Sequence, residues 1–429
     1  MSSESAPHDR LYDRDFALAM ASQMCFVIAN TLLAHYARWI EFLGGSVRDV
    51  GFVMGCGAIF GLILRPWMGQ WINRLGPQTM WLIGYAVFAV GCIGNLLLYD
   101  LGPGIYLLRS CLVLGAAIVF TSSLTYITHT APVHRQAEAI GILGSGGFIG
   151  MLLGPVLGDV ILAASERVRG DFVLLFVAAS LGSLVPAALV LCMRKTNVRH
   201  RGAPVTLADF FRTTARHWPG TIILVNLAFG ACMTAPFVFL SSYVDQEQLR
   251  ITGVSVIGLF FWCYAGWGLV IRIGLRRLPQ RRGRRKVLLA GLVFMGAGMF
   301  AYALVDAAHP WRIVVPSLIC GTGHALIFHT MMSLAVETFP SPVRGTGSAL
   351  ALMMLDMGTI VGAPLFGQIA ETAGYAAMFA TIGSITLFSA LAYTLASIPV
   401  WQQRSAERKK TELRDSVIPA PLAAEESAA

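Results

Sequence analysis

Twelve long apolar segments run through the sequence, and no other feature restricts the fold of this chain as strongly. A helix that crosses a bilayer needs about 20 consecutive, largely apolar residues. Because lipid offers no hydrogen-bond partner to an exposed backbone, segments of this kind predict α-helices. We number them as spans one to twelve and place them at 16–37, 49–70, 79–99, 104–127, 139–162, 172–193, 220–243, 254–273, 287–305, 312–335, 346–369 and 376–398. The sequence therefore predicts an all-α membrane protein with twelve transmembrane helices.

The composition agrees with a membrane protein. The 429 residues are 56% hydrophobic and only 13% charged, whereas a soluble domain carries roughly 25% charged residues. The N-terminus lacks the short apolar core and cleavage site of a signal peptide, so we expect span one to be retained. The eight cysteines lie in or beside apolar segments, without the close spacing of a zinc site. We expect neither a metal nor another cofactor.

The basic residues favour one orientation in the membrane. With the N-terminus in the cytoplasm, 25 of the 32 lysines and arginines lie on the cytoplasmic side, six on the opposite side, and Arg109 within span four. Such a bias is the positive-inside signal. We expect a multi-pass inner-membrane protein with both termini cytoplasmic. Its net charge of +9 then anchors the chain to the bilayer and does not indicate nucleic-acid binding.

An internal repeat relates the two halves of the chain. The pairs that align, at offsets of 207 and 209 residues, are Gly51 and Gly258, Cys56 and Cys263, Gly61 and Gly268, Arg65 and Arg272, Arg74 and Arg281, Gly76 and Gly283, Arg135 and Arg344, Pro155 and Pro364, and Gly158 and Gly367. Duplicated halves with one orientation are typical of transporters that rock about a central site. We divide the chain into an N-terminal segment (1–15), a six-helix bundle (16–193), a basic linker (194–219), a second six-helix bundle (220–400) and a disordered cytoplasmic tail (401–429).

These features resemble the major facilitator superfamily of secondary transporters over essentially the whole membrane part. RPWMGQWINRLGPQ, which begins at Arg65, is similar to the signature loop that the superfamily has between spans two and three. The stretch keeps Gly69, Arg74 and Gly76, and it has Asn73 where the superfamily usually has aspartate. The Arg-Pro pair before the loop and the run PVHRQAEAIG look most like bacterial drug and arabinose efflux-type exporters. The resemblance implies two six-helix bundles related by a pseudo-two-fold axis.

Span five carries a stripe of glycines. Gly150, Gly154, Pro155 and Gly158 match the antiporter pattern Gly-x-x-x-Gly-Pro-x-x-Gly of the superfamily, and Gly146 extends the spacing of four by one turn. Small residues at this spacing let membrane helices approach closely. The stretch contains no lysine, so it is not a Walker phosphate-binding loop. We expect the stripe to be a sliding and sealing face against the opposite half, near span eight, and the resemblance implies export.

Four ionisable residues are candidates for proton coupling or for the electrostatics of a cavity. Arg109 lies inside span four, where the superfamily also has an arginine, and Asp356 is the only acid deep within the spans of the second half. His324 and His329 lie on span ten, about 140° apart in projection, so we expect one of them to face the cavity. A buried carboxylate or imidazole can exchange protons near neutral pH. The structural alternatives are snorkelling for Arg109, a helix-to-helix hydrogen bond for Asp356 and packing for the histidines.

Two further groups of residues are candidates by their position. The first group, at the cytoplasmic span ends, would form ion pairs that break and re-form as the halves rock; it comprises Gly69, Asn73, Arg74 and Gly76 in loop 2–3 and Arg281 and Gly283 in loop 8–9. The second group would line the substrate cavity; it comprises Gln23, Asn30, Asn226, Tyr243, Trp262 and Trp267. Polar residues within a span need an internal partner or water, so the alternative for the polar residues of this second group is hydrogen bonding between helices. The alternative for the two tryptophans is a position that faces the lipid.

The sequence predicts a carrier and not an enzyme. Because no ATP-binding motif is present, we expect the energy to come from an ion gradient. The function we expect is proton-coupled antiport that exports a small organic molecule by alternating access. The partners we expect are this substrate, protons and the lipid bilayer, without nucleic acid, around a monomeric protein. Two alternatives stay open: uptake by a proton symporter or facilitator on the same fold, and a membrane sensor or enzyme subunit that does not transport.

Overall fold

The computed structural model describes residues 12–132, 135–162, 167–194, 206–340 and 343–417. Within these ranges, eleven helical stretches are long and apolar enough, by length and composition, to cross a membrane. The last stretch, Arg344–Ala396, has 53 residues and is too long for one crossing. Its backbone turns at Gly374, whose φ of 83° is not helical. The stretch therefore supplies spans eleven and twelve, and the predicted all-α membrane fold with twelve spans is confirmed.

Several spans are a few residues longer in the structure than the predicted segments. Spans one to ten are Arg14–Phe42, Val47–Ile72, Pro77–Asn95, Gly104–Thr130, Glu138–Ile161, Arg169–Leu191, Ile222–Gln246, Val256–Gly274, Arg284–Leu304 and Pro310–Glu337. The helix that begins at Arg344 continues to Val417, so the tail that we predicted to be disordered from residue 401 begins as a helix. Residues 1–11, 195–205 and 418–429 of the predicted terminal segments and linker lie outside the described residues.

The internal repeat is visible in the backbone. Gly76 follows span two with a φ of 88°, and Gly283 precedes span nine with a φ of 87°. Only glycine reaches this left-handed region readily, because it has no Cβ. In both places a helix starts at the next residue, Pro77 or Arg284. The two turns have the same geometry, which supports the alignment of the two halves.

The spans pack within two groups that meet along two interfaces. Span one packs against spans five and six, and span three packs against spans four and six. In the second half, span seven packs against span eleven, and span nine packs against spans ten and twelve. Between the halves, span two lies against span eleven, and span five lies against span eight. We call the side of the molecule that carries residue 12 and loops 2–3 and 8–9 the near side, and the opposite side the far side.

Spans seven and eight are not regular α-helices. Each contains a five-residue π-helical turn, at Ala235–Phe239 and at Trp262–Gly266. In span seven the turn includes Pro236, which has no backbone N–H to donate and therefore disfavours a regular ladder of hydrogen bonds. These turns lie beside the far-side half of the interface between the bundles.

A short amphipathic helix, Leu207–Arg216, occupies the described part of the predicted linker. Thr206 and Asp209 form a capping box at its start. Hydrogen bonds from the Thr206 hydroxyl and amide hold the pKa of the Asp209 carboxyl below its usual value. Phe210 is buried against Phe339, at the near-side end of span ten. The linker is therefore tied to the second half before span seven begins.

Candidate functional site

An ion pair joins span two of the first half to span eleven of the second half. Arg65 of span two donates to Oδ2 of Asp356 of span eleven, through Nε at 2.9 Å and through a terminal nitrogen at 2.5 Å. The two side chains are only 10% and 14% exposed. A turn earlier on span two, a Cβ on Gly61 would lie 4.0 Å from the same carboxylate oxygen. Charges withdrawn from water need a partner, so the ionised carboxylate ties span two to span eleven.

Arg109 lies beside the same face of span two. A Cβ on Gly57 would come within 2.6 Å of its side chain, one turn from Gly61. Its guanidinium carbon lies 4.9 Å from the centroid of the Tyr36 ring, and its Nε has no hydrogen-bond partner among the described residues. Two of the four predicted proton-coupling residues, Arg109 and Asp356, thus lie against successive turns of one helix.

The two histidines of span ten lie in different surroundings. His324 is half-buried among aromatic rings, including Phe148 of span five, and shares a hydrogen bond of 2.6 Å with the Tyr264 hydroxyl. His329 lines a cavity of about 590 Å³ together with Arg272. This cavity lies between span five of the first half and spans eight to ten of the second, towards the near side. The structure therefore places His329, and not His324, against open space.

A second group of charges joins the halves at the far side. Asp245, at the end of span seven, accepts two bidentate contacts, from Arg38 at 2.9 and 2.9 Å and from Arg167 at 2.6 and 3.0 Å. Arg38 also donates to Asp159 of span five at 2.6 Å. Asp159 in turn accepts a hydrogen bond from Ser255 at the start of span eight. We call Arg38, Asp159, Arg167 and Asp245 the far-side network; bidentate guanidinium–carboxylate pairs are among the strongest polar contacts in proteins.

His35 lies buried directly beneath this network. Its Nε2 donates to the carbonyl of Pro155 at 2.8 Å, and its Nδ1 accepts from Arg38 at 2.9 Å. A ring with one donating and one accepting nitrogen is neutral. Pro155 of the antiporter-type pattern thus supplies the carbonyl that orients this imidazole.

The sequence reasoning missed the far-side network and the partner of Asp356. A signal was available, because Arg38, Arg65 and Asp159 are ionisable residues inside or beside apolar segments. The partner of each charge could not be predicted from the sequence. Arg65 and Asp356 are 291 residues apart, and Arg38 and Asp245 are 207 apart, so only the packing of the two halves brings them together.

The predicted gating residues that the structure describes are not joined across the halves. A Cβ on Gly69 or Gly76 would meet nothing within 4 Å. Arg74 and Arg281 are exposed, and neither forms an ion pair within the part of the chain that the structure describes. The side chain of Asn73 lies outside the described residues. Among the described charges, contacts between the halves therefore lie within the spans and at the far side.

The expectation that the glycine stripe of span five packs against span eight is wrong. A Cβ on Gly150 would come within 2.5 Å of Val27, and one on Gly154 within 2.7 Å of the carbonyl of Ile28. Both neighbours belong to span one, in the same half. The stripe therefore brings spans one and five together inside one bundle.

Span eight meets the other face of span five. Phe148 and Val156 of span five lie against Gly268 and Gly258 of span eight, where added Cβ atoms would approach them to 3.0 and 2.9 Å. Residues 146 and 148 differ by about 200° around a helix, so the glycine stripe and these apolar side chains cannot face the same neighbour. At this interface the glycines that allow the close approach, Gly258 and Gly268, are on span eight.

Two of the four predicted cavity residues on spans one and seven, Asn226 and Tyr243, make structural contacts. Asn226 is fully buried and donates to the carbonyl of Ile222 in its own helix at 2.8 Å. Tyr243 is buried and packs edge-on against the Tyr302 ring. Gln23 is also buried, whereas Asn30 is half-buried.

The two predicted cavity tryptophans lie on the outside of the described helices. Trp262 is 55% exposed and donates to the carbonyl of Leu152 at 3.1 Å, and Trp267 is 42% exposed and donates to Thr322 at 2.9 Å. Both indole N–H groups are therefore satisfied by protein, which suits apolar rings that face lipid.

Comparison with known proteins agrees with this architecture. The family model described as Major Facilitator Superfamily matches residues 16–354 and 275–425. The "Multidrug resistance protein MdtG" of Enterobacter lignolyticus (strain SCF1) is 26% identical over 389 residues, which cover 85% of this chain and 87% of the relative.

Solved structures share the fold at low identity. A POT family transporter in complex with 5-aminolevulinic acid superposes with a TM-score of 0.75 at 13% identity, covering 92% of this chain and 98% of that one. A D-xylose-proton symporter superposes with a TM-score of 0.69 at 15% identity, covering 88% and 95%.

The family match extends over nearly all of the membrane part. The predicted superfamily is thereby confirmed, as is the prediction that the chain is a transporter and not an enzyme. The chain belongs to the major facilitator superfamily of multi-pass membrane transporters.

Proposed function

We propose that this protein exports a small organic molecule across the inner membrane in exchange for protons, with both termini in the cytoplasm. The observation that carries the proposal is the Arg65–Asp356 pair, because it is a buried carboxylate contact between the two halves. The name of the multidrug resistance relative supports export. The bias of basic residues towards the near side supports the orientation.

Asp356 carries the proton in this proposal. An ionised Asp356 pairs with Arg65 and holds spans two and eleven together, whereas a protonated Asp356 has lost the charge that holds them. The carboxyl takes up a proton when the site faces the far side, and the cargo leaves there. It releases the proton towards the near side when Arg65 pairs with it again. Arg109, one turn away, contributes a fixed positive charge to the same part of span two.

The uneven distribution of the contacts between the halves supports alternating access. The far-side network closes that side, while the described loop residues Arg74 and Arg281 are not engaged. With the proposed orientation, the closed side is the periplasmic one and cargo enters from the cytoplasm. In the opposite state the network separates, and the loop residues around Gly69, Arg74 and Gly76, with Arg281 and Gly283 in the repeat, form the closing contacts.

The experiment is transport by purified protein in proteoliposomes with an imposed pH gradient and a panel of small organic cations, neutral molecules and anions. We expect gradient-driven transport by the wild type and loss of gradient dependence in Asp356→Asn. The matched control is Asp100→Asn, which makes the same substitution at an exposed loop carboxylate and is expected to transport normally. Gradient-driven transport that persists in Asp356→Asn would show that this carboxyl does not couple the proton.

The same assay separates export from uptake. Export by antiport moves cargo against the direction of proton flow, whereas a symporter moves both in the same direction. Accumulation of a compound with the protons would replace export by uptake, and no transport of any compound in the panel under either gradient direction would favour a sensor.

A further inference from the structure

The linker helix, Leu207–Arg216, lies at the depth where the near-side ends of the spans leave the membrane. Its buried residue Phe210 belongs to one apolar cluster with Ile223 of span seven and Leu350 of span eleven. Ile223 is the second residue of its span. Leu350 comes six residues after Arg344, where its helix begins, which is about 9 Å along the helix axis. The linker helix is therefore packed beside the ends of the spans.

The C-terminal end of the linker helix is also fixed to the second half. The hydroxyl of Thr338, directly after span ten, donates to the carbonyl of His217 at 3.0 Å. The His217 ring lies 5.9 Å from the ring of Phe339. Because the helix is held at its middle and at its end, its remaining faces have fixed directions.

Three faces run along the helix when positions are counted at 100° per residue from Leu207. Phe210 and Thr214, at about 300° and 340°, form the buried face. Arg212 and Arg216, at about 140° and 180°, form an exposed face that we call the arginine face. Between them, at about 0–100°, lies an exposed face that we call the apolar face; it comprises Leu207, Ala208, Phe211 and Ala215.

The apolar face exposes aromatic surface that the described protein does not cover. Phe211 is 58% exposed, and Trp218, two residues after the helix ends, is 54% exposed. Apolar surface of this size is unfavourable in water, whereas tryptophan is enriched where headgroups meet acyl chains. Since the helix lies at the depth of the span ends, lipid is the apolar medium within reach of this face.

The charge of the linker is complementary to an anionic membrane surface. Residues 194–219 contain six lysines and arginines and one acid, Asp209. Asp209 is engaged by Thr206 in the capping box and lies 3.5 Å from Arg212. Arg212 and Arg216 are four residues apart, so they are neighbours on the helix surface, and both are exposed. Two guanidiniums can therefore approach one phosphate group.

We propose that the linker helix is an interfacial helix: its apolar face enters the near-side leaflet, and Arg212 and Arg216 bind the phosphate of an anionic lipid of the phosphatidylglycerol type. The inference goes beyond the proposed function, because it concerns the lipid and holds for either direction of transport. Guanidinium groups recognise phosphate through paired hydrogen bonds. Interfacial helices of this kind bury their apolar face about 5–10 Å into the boundary between headgroups and acyl chains.

The test places the photo-cross-linking residue p-benzoylphenylalanine at the position of Phe211 in the full chain. The protein is reconstituted in nanodiscs of phosphatidylcholine and phosphatidylglycerol in equal amounts, and mass spectrometry after illumination identifies the adduct. We expect lipid adducts, with phosphatidylglycerol exceeding phosphatidylcholine by about 5- to 30-fold, since each arginine near an anionic surface changes binding by about fivefold. The same residue at the position of Thr213, outside the apolar face, is expected to give far fewer lipid adducts.

Arginine variants in the same background test the recognition of the headgroup. Arg212→Gln/Arg216→Gln is expected to bring the two lipids to nearly equal adduct yields. The matched control is Arg250→Gln, which removes an exposed far-side arginine and should leave the excess of phosphatidylglycerol unchanged. All the substituted side chains of this series are exposed, and size-exclusion and thermal unfolding profiles show that each variant is folded.

Three outcomes would overturn the proposal. One is the absence of lipid adducts at position 211 in folded protein. Another is an adduct with a second copy of the chain, which would assign the apolar face to a dimer contact. The third is an excess of phosphatidylglycerol that is either absent from the protein with both arginines or unchanged in Arg212→Gln/Arg216→Gln. Loss of proton coupling in any transport assay would leave this inference intact, because none of its readouts depends on cargo.

Discussion

The two charged contacts between the halves differ in how many partners each carboxylate has. Within the described residues, Asp356 meets one arginine, Arg65. At the far side, Asp245 meets Arg38 and Arg167 together, and Arg38 reaches on to Asp159. The first contact is a single ion pair inside the spans. The second is a network in which the loss of any one ion pair leaves others in place.

This difference implies a division of roles. One proton removes the whole charge contact of a single pair, so the Arg65–Asp356 pair is suited to coupling. No single proton dissolves a network of two carboxylates and two guanidiniums, so the far-side network is suited to holding one state closed. Variants of the two contacts separate these two roles.

Arg65→Ala is expected to destabilise the protein by about 3–5 kcal/mol, because it leaves the carboxylate of Asp356 unpaired within the spans. The double variant Arg65→Ala/Asp356→Asn removes the uncompensated charge as well, so it should recover much of that stability. Denaturant or thermal unfolding of the purified protein in detergent measures both. Equal losses in the single and double variants would mean that the pair does not behave as an isolated contact.

Asp245→Asn is expected to open the far side, because two arginines lose their common carboxylate. A charged hydrogen bond contributes about 1.5–3 kcal/mol, and the asparagine keeps one acceptor oxygen, so a net loss of about one such bond should raise the ratio of open to closed states by about 10- to 100-fold. Spin labels at Asp100 and Asp306, exposed far-side loop positions of the two halves, report the separation. An unchanged distance distribution would argue against a closing role for the network.

Arg167→Gln is expected to have a smaller effect than Asp245→Asn in the same labelled background. Arg38 keeps its bidentate contact with Asp245 in this variant, and its side chain is more buried than that of Arg167. The open-to-closed ratio should therefore change by less than about tenfold. If Arg167→Gln opened the far side as much as Asp245→Asn, the redundancy that distinguishes the network from the single pair would be absent.

Thr206→Ala serves as the reference outside both contacts. The loss of the capping hydroxyl should speed amide hydrogen exchange in the first turn of Leu207–Arg216 and leave transport and far-side distances unchanged. Because the helix holds the pKa of Asp209 below its usual value, this part of the capping is complete at neutral pH and is lost as the pH falls through that lowered pKa. Altered transport by Thr206→Ala would show that the linker helix takes part in the cycle.

Much of the fold was predictable because its signals are local. Span length follows from bilayer thickness, and the matching glycine turns at residues 76 and 283 follow from the duplicated sequence. Asp356 could be singled out for the same reason, since a lone acid in an apolar segment needs a partner. The glycine stripe shows the limit: its spacing predicted a close helix contact, but Val27 and Ile28 of span one, and not span eight, form that contact.

The twelve apolar spans, the two related halves and the membership of the superfamily can be read from the amino-acid sequence, because hydropathy and repeat spacing act over a few turns of chain. Which charges meet depends on the packing of the spans. Arg65 and Asp356, like Arg38 and Asp245, come from opposite halves of the chain. A helix sequence specifies which residues share a face, whereas the neighbour of that face depends on how all the spans pack together, and that packing places Asp356 in a single pair and Asp245 in a network.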